Sequence, residues 1–168
     1  MKVTLAYQVL TIKAPRSRVF QVFSCFSKEE RPGEKGNQPA GNQPSENDEG
    51  ATVVEREGNR LVVEFTSRDG RRLYRTLEEV HLYPEERITF RHLKGPLHHS
   101  SEEFRFEEAP EGTRITYKGQ IECRMPFLPG IGWLVALLYV RPKYGSVVKR
   151  HMEILKEAAE SEALEAPL

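Results

Sequence analysis

The chain has 168 residues, of which 38% are hydrophobic and 30% are charged, a length and composition that suit one domain with a core of its own. Its 25 basic and 25 acidic residues leave no net charge at pH 7, which argues against a chain-wide attraction to nucleic acid. We therefore expect a single domain over residues 1–160 and no nucleic-acid partner.

Cysteine usage and hydropathy point to the cytoplasm. Cys25 and Cys123 lie far apart in sequence, and no basic and apolar leader precedes the first hydrophobic alternation, so neither a disulfide framework nor a signal peptide is expected. The longest nearly apolar run, Phe127 to Val140, is interrupted by Pro129 and two glycines. It is shorter than the roughly 20 residues that cross a bilayer, so no integral membrane segment is expected.

The N-terminal third begins with a strand and a short helix. Residues Val3 to Ile12 alternate Val3, Leu5, Tyr7 and Val9 against Thr4, Ala6, Gln8 and Leu10, which predicts one β-strand. Pro15 suits the first turn of a helix, and the apolar residues that follow it, Val19, Phe20, Val22, Phe23 and Phe26, recur at helical spacing. The helix therefore has one strongly apolar side.

Residues 27–50 are almost free of apolar side chains, and Gly36-Asn37-Gln38-Pro39 is repeated as Gly41-Asn42-Gln43-Pro44. Such a polar, low-complexity stretch cannot bury a core. We expect a flexible insertion on the surface, with a gating role as the alternative.

Six strand patterns then follow in quick succession: Thr52 to Arg56, Leu61 to Thr66, Arg72 to His81, Ile88 to Leu93, Glu102 to Glu107 and Thr113 to Cys123. Turn-forming pairs such as Gly58-Asn59 and Asp69-Gly70 separate them. Because these connections are too short for crossover helices, successive strands are predicted to be antiparallel neighbours.

The pattern changes to helix near the C-terminus. Residues 131–140 are apolar nearly all round, and beyond Pro142 apolar positions recur every three or four residues from Tyr144 to Ala159. A kink or break is expected near Pro142, because proline lacks the amide hydrogen that an interior helical turn needs. Residues 161–168 are expected to be a frayed tail.

This order of elements resembles the START-like superfamily, also called SRPBCC, and within it the branch of polyketide cyclases/dehydrases and lipid-transport or coenzyme Q-binding proteins. The residues that show the resemblance are Ala14-Pro15 with Val19-Phe20, Arg87-Ile88-Thr89-Phe90 before Gly95-Pro96, Glu103-Phe104-Arg105-Phe106, and Glu111-Gly112-Thr113-Arg114-Ile115-Thr116-Tyr117. Two features depart from the group: residues 27–50 replace a short second helix, and Phe104 stands where many members have tryptophan.

The resemblance implies an α+β helix-grip fold. In that fold a curved antiparallel sheet of about seven strands wraps a long C-terminal helix, and a short helix follows the first strand. The cavity between sheet and helix would hold a lipid, a quinone or a polyketide-like molecule. The leading hypothesis is therefore binding or transport of a hydrophobic small molecule. The alternatives are a cyclase- or dehydratase-type enzyme using the same cavity, and a protein-interaction module whose cavity is vestigial.

The facing pattern of the strands supplies candidate ligand contacts. Phe104 and Phe106 share one face of their strand, whereas Glu103, Arg105 and Glu107 share the other, so the aromatic face is expected to point inward. The predicted ligand-binding residues are Phe90, His92, Phe104, Phe106, Tyr117, Ile121, Trp133 and Leu137.

Few residues argue for chemistry. His92 and Tyr117 are the candidate acid or base and hydrogen-bond donor if the protein is an enzyme, although both also fit a packing role. His98 and His99 are adjacent rather than spaced for two metal ligands. No metal ion and no cofactor are expected.

The entrance to the cavity is predicted at the junction between the last strand and the C-terminal helix. Phe127, Leu128, Gly130 and Ile131 combine large apolar side chains with backbone freedom, which suits a lid over a ligand. Permanent docking of this loop on the sheet, or transient contact of Phe127, Leu128 and Trp133 with a membrane, are the alternatives. The sequence leaves the oligomeric state open.

Overall fold

The fold is taken from a computed structural model, which describes residues 2–26, 50–69, 71–95, 99–122 and 136–165. The strands are β1 (Lys2–Thr4), β2 (Gln8–Ile12), β3 (Gly50–Glu57), β4 (Arg60–Asp69), β5 (Arg72–Tyr83), β6 (Arg87–Lys94), β7 (His99–Ala109) and β8 (Gly112–Glu122). The helices are α1 (Arg16–Ser24) and α2 (Arg141–Glu165), and a π-helical turn at Ala136–Val140 precedes α2.

All eight strands belong to one antiparallel sheet. Its order is β1-β8-β7-β6-β5-β4-β3, and β2 also pairs with β8. The six consecutive strands predicted from β3 to β8 are therefore neighbours in the sheet, as the short turns between them require. With α1 after the N-terminal strands and the long α2 at the end, this is the helix-grip fold that was predicted.

The N-terminal strand pattern differs from the prediction, because it forms two strands instead of one. Thr4 pairs with Gln120 and Gln8 pairs with Tyr117, so the N-terminal segment advances four residues while β8 advances three. One extra residue in a strand reverses which side chains face the core. Tyr7 and Val9, which share a face with Leu5 in a regular strand, are consequently 61% and 51% exposed.

The two helices begin at their prolines. In α1 the amide of Val19 donates to the carbonyl oxygen of Pro15, which precedes the first helical residue. Pro142 lies in the first turn of α2, directly after the π-helical turn, so the change from one helix type to the other coincides with the proline near which a kink or break was expected. The helix continues to Glu165, into the segment that was expected to be a tail.

The core lies between the concave face of the sheet, α1 and α2. Strand residues such as Val63, Ile88 and Ile115 are buried together with Val19 of α1 and Met152 of α2. No helix in the parts of the chain that the structure covers has the length and hydropathy to cross a membrane.

The turn before β8 explains one of the motifs behind the family resemblance. Gly112 has a φ of 137°, and an added Cβ there would collide with the carbonyl oxygen of Ile12. The next residue, Thr113, is fully buried and donates its hydroxyl hydrogen to the carbonyl oxygen of Ala14 at 2.8 Å. Glycine followed by threonine therefore joins this turn to the segment between β2 and α1.

Candidate functional site

Two tyrosines from different elements meet one carboxyl group inside the domain. Glu102 of β7 accepts a hydrogen bond from the hydroxyl of Tyr117 on β8 at 2.9 Å and another from the hydroxyl of Tyr144 on α2 at 2.5 Å. The two bonds use the two different carboxylate oxygens. Each hydroxyl has an acceptor, so the arrangement satisfies polar groups that would be costly to bury alone.

The sheet register places these groups on the concave face. Phe90 of β6 pairs with Glu102, and Glu102 in turn pairs with Gly119 of β8. Strict alternation puts Glu102 on the same face as Phe104, which is buried. The glutamate therefore projects into the core rather than toward water.

Gly119 is a position of close approach. A Cβ added to Gly119 would lie 2.7 Å from the Tyr117 hydroxyl oxygen and 2.7 Å from Cδ1 of Leu5. Glycine inside a strand often marks a bend or a position where another group approaches closely. Here the missing side chain makes room for the hydroxyl group that Tyr117 donates to Glu102.

A second glutamate belongs to the same region. Glu78 of β5 pairs in register with Val63 of β4 and with His92 of β6, both of which are buried. Burial, and secondly the charge of Glu102, raise the pKa of Glu78 to about 7, although a hydrogen bond with Thr76 opposes this shift. We call Glu78, Glu102, Tyr117 and Tyr144 the polar cluster.

The pKa values across the polar cluster favour uncharged groups. Burial raises the pKa of Glu102, against the effect of the hydrogen bonds from Tyr144 and Tyr117. Burial and the neighbouring charge of Glu102 raise the pKa of both tyrosines. A carboxyl pair with raised pKa values retains a proton closer to neutral pH than an exposed pair does, so the cluster offers hydrogen-bond donors as well as acceptors.

Aromatic rings line the concave face beside the polar cluster. The ring of Phe104 lies 5.0 Å from that of Tyr117 and 5.8 Å from that of Phe90, measured between centroids. Phe26, at the end of α1, contacts both Phe65 and Phe90 edge to face. The site therefore combines a few polar groups with a large apolar surface, which is the usual composition of a small-molecule site.

The structure covers most of the predicted ligand-binding residues. Phe104, Phe106, Tyr117, Ile121 and His92 are buried, and Phe90 and Leu137 are half-buried. Trp133 and the predicted entrance residues Phe127, Leu128, Gly130 and Ile131 lie outside the described residues. Whether any of these residues contacts a ligand remains a prediction.

The sequence analysis missed Glu78, Glu102 and Tyr144. The same alternation that assigned Phe104 and Phe106 to the inner face also assigns Glu102 to it. Because glutamate was assumed to face solvent, the alternation was not applied to Glu102. Tyr144 was assigned to the apolar side of the C-terminal helix. Its hydrogen bond is made with Glu102, 42 positions away in the sequence, so the spacing of neighbouring residues does not indicate it.

A second ionic group lies on the opposite, convex face of the sheet. Glu79 accepts hydrogen bonds from Arg60 at 3.0 Å and from Arg91 at 2.8 Å, and one of its oxygens is 3.2 Å from Nε2 of His81. The hydrogen bond with His81, followed by those with the arginines, lowers the pKa of Glu79. These pairs connect β4, β5 and β6 across the convex face.

An open hollow of about 340 Å³ lies beside this convex group, near the β3–β4 and β5–β6 turns, which meet at one end of the β4–β5 pair. It is lined by Asn59, Arg60, His81, Leu82, Tyr83, Pro84 and Glu86. None of these residues belongs to the polar cluster or to the aromatic residues around it. Among the described residues, no group of three or more histidine, cysteine, aspartate or glutamate side chains is arranged to hold a metal ion.

Sequence comparison identifies one matching family. The profile of the family described as polyketide cyclase / dehydrase and lipid transport matches residues 4–160. No curated protein matches the chain in sequence.

Three solved structures illustrate the similarity in fold. TTHA0849 from Thermus thermophilus has a TM-score of 0.69 and 22% identity over 97% of this chain and 99% of its own. The Zhui aromatase/cyclase from Streptomyces sp. R1128 has a TM-score of 0.63 and 19% identity, with 97% and 94% of the two chains covered. A START superfamily protein from Mycobacterium smegmatis has a TM-score of 0.58 and 15% identity, with 97% and 99% covered. At these identities the likeness is one of fold.

Proposed function

This chain belongs to the polyketide cyclase/dehydrase and lipid-transport family of START-like proteins, and we propose that it binds an apolar small molecule between the curved sheet and α2. The polar end of the ligand makes hydrogen bonds with the polar cluster. Its apolar part contacts the rings of Phe90 and Phe104 and their aromatic neighbours.

The observation that supports this proposal most directly is the position of Glu102. It is a carboxyl group on the concave face, it has phenylalanines as strand neighbours, and it bridges a tyrosine of the sheet to a tyrosine of the helix. Apolar residues of similar volume can often replace a buried ionic group without loss of stability. A half-buried carboxyl group is of more use in a binding site, because a few well-placed polar groups orient an apolar ligand.

Native mass spectrometry of the purified protein, followed by denaturing extraction, tests the proposal and identifies the ligand in the same experiment. The expected result is one discrete apolar compound, bound at one molecule per chain. For protein that is purified empty, titration with the fluorescent dye N-phenyl-1-naphthylamine replaces extraction and should show saturable binding at one site. A protein that carries no compound and does not bind the dye would contradict the proposal.

Acid–base catalysis is a second candidate function, because burial and the charge of Glu102 raise the pKa of the half-buried Glu78 to about 7. A general acid or base works best when its pKa is close to the working pH. One ionised carboxylate could take a proton from the carbon next to a ketone. The protonated partner could then give its proton to a β-hydroxyl group, which leaves as water and yields a conjugated enone.

The remaining polar residues have roles in this second candidate. Tyr117 would hydrogen-bond the ketone oxygen, and His92, the register partner of Glu78, is an alternative base. The test is turnover of a β-hydroxy ketone by the wild type and by Glu78→Gln and Glu102→Gln variants. Loss of turnover in both variants with retained ligand binding supports catalysis. Unchanged turnover in both would contradict it.

A further inference from the structure

The charges near the polar cluster are unbalanced. The cluster brings two half-buried carboxyl groups, the half-buried phenol of Tyr144 and the buried phenol of Tyr117 to the concave face, while none of the lysine or arginine side chains that the structure describes is buried. The basic group on this face is His92 of β6, which is opposite Glu78 in the sheet register. Arg56, Arg72 and Lys94 lie at the margins of the sheet and are exposed.

The residues that β4, β8, α2 and β2 contribute around the cluster carry no positive charge. The neighbours on β4 are apolar, as Val63 and Phe65 show, and β8 contributes the phenol of Tyr117. The buried residues of α2, Val148, Met152 and Ala159, have no charge, and burial lowers the pKa of His151 on the same helix, which favours its uncharged form. Gln8 of β2 is uncharged, and its side-chain amide donates to the carbonyl oxygen of Gly145 at 2.9 Å.

A ligand with an anionic end would be unfavourable here. Its charge would lose hydration, would meet no buried arginine or lysine among the described residues, and would lie near two acidic side chains. A hydroxyl or carbonyl group loses less hydration and finds both donors and acceptors in the cluster. Phenol and carboxylic acid groups donate to a carbonyl oxygen, and carboxylate oxygens accept from a hydroxyl group.

We propose that the site selects apolar ligands whose polar end is an uncharged hydroxyl or carbonyl group, and that it rejects ligands that end in a carboxylate, phosphate or sulfonate. This inference rests on the proposed binding function and narrows the class of ligand. Free fatty acids and anionic phospholipids are thereby excluded, whereas alcohols, ketones, phenols and quinones remain.

A matched pair of dyes tests the selectivity. N-phenyl-1-naphthylamine and 8-anilinonaphthalene-1-sulfonate share one aromatic skeleton and differ by a single sulfonate group. The ratio of their dissociation constants is measured by fluorescence titration for three proteins: the wild type, the double variant Glu78→Gln with Glu102→Gln, and a control double variant, Glu64→Gln with Glu103→Gln. Glu64 and Glu103 lie on β4 and β7 at positions that alternate with the buried Val63 and Phe104, so the control removes the same number of carboxyl groups from the other face.

In the wild type the neutral dye should bind more tightly than the sulfonate. In the inner double variant the preference should shrink by about tenfold, because the sulfonate no longer approaches ionisable carboxyl groups. In the control the ratio should stay at the wild-type value. If the inner double variant does not fold, Glu78→Gln alone should reduce the preference in the same direction.

The outcomes separate this inference from the proposed function. If both dyes bind and the ratio is the same in all three proteins, the selectivity is wrong while the binding function stands. If the control changes the ratio as much as the inner variant does, whole-molecule charge explains the preference and the inference is overturned. If neither dye binds the wild type, the binding function fails and the inference fails with it.

Discussion

Glu102 and Tyr144 are 42 residues apart in sequence, and their hydrogen bond joins the concave face of the sheet to the start of α2. One residue further along the helix, the carbonyl oxygen of Gly145 accepts a hydrogen bond from Gln8 of β2. Two neighbouring residues of α2 are thus tied to two different strands. The hydrogen bonds of the polar cluster therefore couple the position of α2 to the protonation state of Glu102.

Replacing Tyr144 with phenylalanine should weaken this link. The substitution keeps the ring and removes one of the two donors to a buried carboxyl group, so the free energy of unfolding should fall by about 1 to 2 kcal/mol. Urea unfolding measures the change. The control is Tyr7→Phe, since Tyr7 is 61% exposed and should show almost no loss. Equal losses in the two variants would mean that the Tyr144 hydroxyl contributes nothing specific.

The pH dependence of stability should depend on Glu78. Its pKa rises from 4.5 to about 7 on folding, so the folded state holds this proton more tightly than the unfolded chain does. The resulting stability is fully present below about pH 4.5 and is lost as the pH rises through about 7. Thermal unfolding should therefore show a lower midpoint at about pH 8 than at about pH 5.5.

Glu78→Gln should flatten that pH profile and raise the midpoint at the alkaline end. Because the pKa of Glu102 is also raised, part of the pH dependence of stability remains in this variant. Burial lowers the pKa of His151, which adds stability as the pH rises toward about 6.5 and so opposes the effect of Glu78. The comparison between wild type and variant cancels this contribution. A variant profile parallel to that of the wild type would contradict the assignment.

Gly119→Ala tests the close approach of the Tyr117 hydroxyl. The new methyl group would overlap both Tyr117 and Leu5, and such overpacking costs about 1 to 3 kcal/mol. Gly50→Ala is the control, because an added Cβ there has no atom within 4 Å. In a Tyr117→Phe background the cost of Gly119→Ala should be smaller, since the hydroxyl oxygen is gone. A cost that is the same in both backgrounds would exclude the hydroxyl as the source of the crowding.

Phe106→Ala should destabilise the packing of α1 on the sheet. Phe106 is 2% exposed, and its ring lies 5.5 Å from each of the rings of Phe20 and Phe23. Removing a buried phenylalanine ring costs about 3 to 5 kcal/mol, which chemical denaturation would measure. Leu93→Ala, at a 43% exposed position, should cost much less. A similar cost for both would show that Phe106 is not a core contact of α1.

The sequence predicted most of the sheet correctly because alternation and short turns are local signals. In β7 the alternation of Phe104 and Phe106 with charged residues identified the inner face. The same reasoning failed for the N-terminal segment. The extra residue between Thr4 and Gln8 reverses which side chains of β2 face the core. Only the partner strand determines such a bulge, and the sequence of one strand does not reveal it.

The polar cluster was less predictable for a different reason. Glu78 and Glu102 are half-buried because the sheet register places them on the concave face, and their neighbours come from four other elements. Burial of a carboxyl group is rare enough that an acidic residue in a strand is first assigned to the solvent face. The tyrosine partners that make this burial possible are distant in sequence.

The most direct test of ligand binding at the polar cluster is a carbon-13 spectrum of the protein labelled at the ζ carbon of tyrosine. Signals are assigned with single Tyr→Phe variants and recorded before and after saturation with N-phenyl-1-naphthylamine. Ligand binding at the cluster should shift the signals of Tyr117 and Tyr144, while those of Tyr7 and Tyr83, which are 61% and 38% exposed, stay in place. Unmoved signals for Tyr117 and Tyr144 in protein that fluorescence shows to be saturated would contradict binding at this site.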